Sequence, residues 1–129
     1  MQLNDMFDNA ADQNRGQSLA LLDPFTGQPT GMIFVVAGPD SDRARRARLA
    51  LSDELAEMAN EEGRVSAEDR EAARLNSLAA LVLDWNGVEE DGSAVTFSTS
   101  KLLKVLRVLW VQEQVDAFAG DRRNFAGRR

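Results

Sequence analysis

The side chains that could do chemistry are almost all carboxylates, and the densest group is Asp84-Trp85-Asn86-Gly87 followed by Glu89, Glu90 and Asp91. Oxygen ligands at short intervals invite a calcium-loop reading, in which carboxylates alternate along a tight turn around one invariant glycine. The spacing does not allow it. With Asp84 at position 1, Val88 falls on position 5 and Glu89 on the glycine position; with Gly92 as that glycine, Gly87 falls on position 1. An acidic solvated turn is the better reading. The chain has no cysteine and no histidine, which removes thiolate nucleophiles, disulfides, Cys/His zinc sites and imidazole acid–base chemistry together. No phosphate-binding, dinucleotide-binding or nucleophile-elbow motif occurs. Nor does any carboxylate stand in a sequence context that would raise its pKa by burial. We expect a non-enzyme without metal or cofactor.

Composition narrows the class. The 43% apolar and 28% charged content suits a globular chain, and 129 residues suit one domain with one core. The longest apolar runs, Met32–Ala37 and Leu78–Leu83, have six residues each, too short to span a bilayer. Met1 is followed by Gln2-Leu3-Asn4-Asp5 with no basic stretch, so a cytoplasmic protein is expected. The net charge of −6 is uneven. Arg122, Arg123, Arg128 and Arg129 lie in the last eight residues, leaving −10 on residues 1–121. An acidic body repels polyanions, and nucleic acid is not expected as a partner. The basic tail, 120–129, reads either as a solubilising end or as a docking tail for an acidic partner.

The elements that must position any functional surface read as follows. Residues 1–16 carry Leu3, Met6, Phe7, Ala10 and Ala11 at helical spacing, in a segment too short to be stable alone. Met6 and Phe7 therefore need a surface to pack on, in this domain or a neighbour. A ribbon over 17–23 and 28–37 follows, closed by Asp23-Pro24 and by Gly27 as the φ > 0 residue. Pro29 has no amide hydrogen, so its part of the second strand belongs at an edge. Ala94–Phe97 is the natural third strand, since turn residues Glu90–Ser93 precede it.

Three helices are expected, near 41–60, 66–84 and 99–119. In the first, Arg43, Arg45, Arg46 and Arg48 crowd the N-terminal half and Asp53, Glu54 and Glu57 the C-terminal half. This opposes the helix dipole, either because the charge serves a partner or as a tolerated cost of a few tenths of a kcal/mol per charge. Ser66 caps the second helix, which Leu75, Leu78, Val82 and Trp85 line. The third, from a Ser98 or Thr99 cap, is apolar over more than one face and so is central, or central and shared with another subunit. Burial is the first reading for Trp85, Phe97 and Trp110. Phe125, between charged residues near the end, reads as an anchor that docks back or onto a partner. The fold class expected is α+β, mainly α, with the ribbon on a three-helix core. The candidate partner-binding residues are Met6, Phe7, Leu103, Trp110 and Phe125.

The order of these segments carries a resemblance. DPFTGQPTG…GPDS running into DSDRARRAR, then WNGVEEDG…VTFS…LLKVLRVLWVQEQVDAF…DRRNF, resembles the tail assembly chaperones of long-tailed bacteriophages over most of residues 19–125. That resemblance implies a non-catalytic protein of the host cytoplasm. It would keep the tape measure protein soluble, help recruit the major tail protein as tail tube subunits, and be absent from the mature virion. A longer product made by ribosomal frameshifting often accompanies such proteins. Self-association fits, because copies arrayed along a long client bind tightly while each remains releasable. Two other classes stand beside it: a structural head–tail joining protein, and a small regulatory DNA-binding protein using Arg43–Arg48.

Overall fold

In a computed structural model that describes residues 1–127, the chain is α+β with helix well ahead of strand, 53% against 18%. Helix α1 (Leu3–Asp12) and a 3-10 turn lead into strands β1 (Gln17–Leu22) and β2 (Pro29–Val36). Helices α2 (Asp42–Met58) and α3 (Ala67–Ala79) follow, then β3 (Val82–Asn86) and a two-residue hairpin of β4 (Glu89–Glu90) and β5 (Ser93–Ala94). Helices α4 (Thr99–Leu106) and α5 (Leu109–Gly120) and a 3-10 turn at Arg122–Phe125 complete it. Among the described residues no helix is long and apolar enough to cross a membrane.

The ribbon forms as its residues require. The Asp23 carboxylate accepts the Phe25 and Thr26 amides at 2.8 and 3.2 Å, and Gly27 closes the loop at φ 74°. Pro29 opens β2 opposite Leu22, beyond the stretch of β2 that pairs on its other side. The sheet is antiparallel in the order β1-β2-β3.

Three expectations need correction. The third strand is Val82–Asn86, not Ala94–Phe97. The apolar spacing of Leu75, Leu78, Val82 and Trp85 fits a helix or a strand, and the free edge of β2 decides for strand from Val82 onward. The second helix accordingly stops at Ala79, where the Arg43 guanidinium donates from Nε to the Ala80 carbonyl at 2.6 Å. Residues Ser93–Ala94 instead form the small hairpin across Asp91 (φ 53°) and Gly92 (φ 80°), a turn suited to Asp-Gly.

The last helix is two. Val108 is extended (φ −75°, ψ 113°) and starts α5 at a bend. Gln112, 4% exposed, donates its amide to the Leu106 carbonyl at 3.1 Å and so supplies the orphaned end of α4 with a partner. The Arg74 guanidinium donates to its oxygen. With the helix broken, α4 and α5 point different stripes inward, which accounts for the breadth of apolar positions.

The core lies between sheet and helices, around Leu21, Phe34, Val36, Leu102, Leu106 and Val115. Trp85 stacks between Phe34 (5.8 Å) and the edge of Phe97 (5.2 Å), and its indole N–H reaches the Val95 carbonyl at 2.8 Å. A buried aromatic with its polar atom satisfied is a strong fixing point for β3.

Candidate interaction surfaces

α1 lies on the outside of the domain and buries none of its residues. Polar groups hold it. Asn9 donates from Nδ2 to the Phe125 carbonyl at 2.8 Å, and Gln13, only 1% exposed, bonds Asn9 at 2.9 Å and the Asp40 carboxylate at 3.1 Å. The Gln13 side-chain oxygen accepts the Asp40 amide at 2.7 Å. Beside these bonds the apolar stripe of α1 is left largely uncovered. Leu3, Met6 and Phe7 are 67%, 53% and 64% exposed, while Asp5, Asp8 and Asp12 take the far side. Beside the stripe runs an open groove of about 780 Å³, whose wall includes Ala10, Asp40, Arg122 and Ala126.

The five sequence-derived candidates are not brought together. Met6 and Phe7 share α1. Leu103 and Trp110 are half-buried against the core. Phe125 is a correction as a partner-binding residue: it is 2% exposed and packs edge-on against Phe118 at 5.4 Å. It docks back. The tail it anchors is tied as well, because Arg122 grips Asp40, while Arg123 pairs locally with Asp121. The Arg122 fork, aided by the Gln13 amide, holds the Asp40 carboxyl at about 2. Residues 128–129 of the expected basic tail, Arg128 and Arg129, lie outside the described residues.

The basic N-terminal half of α2 also works inside the fold. Arg43 caps the end of α3, and Arg48 donates to the Pro39 carbonyl at 3.0 Å. At the other end of α2, Glu54 accepts from Asn76 of α3 at 2.8 Å. The charge order that opposes the dipole thus fastens α2 to its neighbours, and two of the four arginines proposed for a partner are occupied.

Sequence reasoning missed several exposed apolar residues. Val108 and Leu109, at the bend, are 45% and 63% exposed, and Phe25 at the hairpin tip is 93% exposed. Phe25 sits in a turn of Asp, Pro, Thr and Gly, where an apolar residue has nothing to pack on; that was the available signal. Between α3 and α4 runs a second, smaller groove of about 280 Å³, with Ala72 and Leu103 between Glu68 and Glu71 on one side and Lys104 and Arg107 on the other. Among the described residues no cluster of three or more acidic side chains is arranged to hold a metal ion. No family model, curated protein or solved structure matches the chain.

Proposed function

We propose that this protein is a tail assembly chaperone of a long-tailed bacteriophage. It binds the tape measure protein without catalysis, keeps it soluble in the host cytoplasm, helps recruit the major tail protein, and departs before the virion is complete. The observation that carries the reading is the exposed apolar stripe of Leu3, Met6 and Phe7 on a helix that Asn9 and Gln13 fasten to the body. Such a stripe takes an apolar helix laid alongside it, the docking mode a long helical client offers. Burying the exposed part of three such side chains contributes about 1–2 kcal/mol each before ordering costs, so one copy holds weakly and several hold firmly. The acidic body supports solubility while the stripe is open. The order of the motifs along residues 19–125 adds independent support. Co-expression with the tape measure protein of the same genome, followed by capture through this chain, tests the reading. A head–tail joining protein would differ by remaining in purified virions.

A further inference from the structure

We infer that the groove between α3 and α4 is a self-docking surface, at which two copies of this chain meet about a two-fold axis running along the groove. Its two rims carry opposite charge. Glu68 and Glu71 stand on the α3 side, Lys104 and Arg107 on the α4 side, with Ala72 and Leu103 between them. All four charged side chains are exposed, and among the described residues none of the four makes an ion pair. What sets the four apart is their sorting by sign on the two sides of one apolar strip.

The sorting selects the occupant. A two-fold rotation about the groove's own direction lays α3 of one copy over α4 of the other. Each acidic rim then faces a basic rim, twice, and the Leu103 strips meet in the middle. A two-fold axis across the groove would set acid on acid and base on base, which the charges oppose. An unrelated client would have to carry the same two flanks in mirrored order; a second copy carries them already. The surface is small. Two helices of 13 and 8 residues offer less than the roughly 800 Å² per partner of a firm interface, so the pair forms weakly and comes apart readily. Paired this way, a dimer presents two α1 stripes. The inference rests on the rims alone and needs no client.

Sedimentation equilibrium on the full chain tests it, with thermal melts to confirm folding. Wild type is expected to rise from 14.2 kDa toward twice that mass as concentration increases. Lys104→Glu with Arg107→Glu makes both rims acidic, and Glu68→Lys with Glu71→Lys makes both rims basic. Each variant alone is expected to associate at least roughly tenfold more weakly than wild type, and an equimolar mixture to recover a mixed dimer. Raising salt from about 0.1 to about 0.5 M should weaken the wild-type pair. Strict monomer at every concentration would overturn the inference. So would an acidic-rim variant that associates like wild type, or association abolished by Phe7→Ser but untouched by rim reversal, which would place the contact on α1. Should either double variant melt early, the single Arg107→Glu change gives the same reading from a smaller perturbation.

Discussion

Asp40 and Arg122, 82 residues apart, form a two-pronged ion pair, with Nε on Oδ2 at 2.6 Å and Nη2 on Oδ1 at 2.7 Å. Gln13 shares the same carboxylate. One side chain at the start of α2 thus fastens both the segment after α1 and the chain end that Phe125 anchors. Parallel forked contacts of this kind fix orientation as well as distance.

The pair gives stability a pH signature. The folded carboxyl titrates at about 2, below its ordinary value, so it contributes above the unfolded value near 3.8 and loses that contribution as pH falls toward 2. Its magnitude is limited by water, since the Asp40 and Arg122 side chains are 38% and 68% exposed. Asp40→Asn is therefore expected to cost about 1 kcal/mol or less at neutral pH, a cost that shrinks below pH 3.8 and vanishes only below about 2. Urea midpoints of both proteins across that range check it; a gap that stays constant with pH would contradict it.

Gln112 is the hinge pin of the α4–α5 bend. Gln112→Ala leaves the Leu106 carbonyl and the Arg74 guanidinium without their shared partner, and is expected to cost about 2–3 kcal/mol. Denaturant unfolding reads this directly. A loss below about 0.5 kcal/mol would mean that water replaces the amide at no cost.

Gly87 and Gly63 both have positive φ, 74° and 79°, but only one is crowded. A Cβ on Gly87 would run into the Gly31 carbonyl oxygen of the neighbouring strand, whereas one on Gly63 meets nothing within 4 Å. Gly63→Ala is expected to cost about 1 kcal/mol and Gly87→Ala clearly more, at least about 2. Equal melting losses for the two would show that the β3 turn yields.

The N-terminal ribbon, α2 and the cap of α3 were legible because their signals are local: Asp23, Pro24 and Gly27 in the turn, the GPDS run before α2 and Ser66 at the start of α3. Ser41 accepts the Ala44 amide and Ser66 the Asp69 amide, both at 3.1 Å. What escaped depends on distant partners. Val82–Asn86 has a spacing that serves helix or strand, and only the open side of β2 settles it. The bend at Arg107–Val108 has neither glycine nor proline; it is set by Gln112 reaching back over six residues. Of the candidate residues, Met6 and Phe7 were readable as needing a surface. That the domain leaves them largely uncovered depends on Asn9 and Gln13 making the contacts to the body. Phe125 lacked any local sign that Phe118 would cover it.

The most direct test of the proposed function is to express the tape measure protein of the same genome with and without this chain, and measure how much stays soluble and is captured. Soluble tape measure protein that is pulled down by wild type is the expected result. Met6→Ser with Phe7→Ser should abolish capture while melting like wild type, since both side chains are exposed. Tape measure protein that remains insoluble beside wild type, or that is captured equally by the double variant, would contradict the role assigned to the α1 stripe.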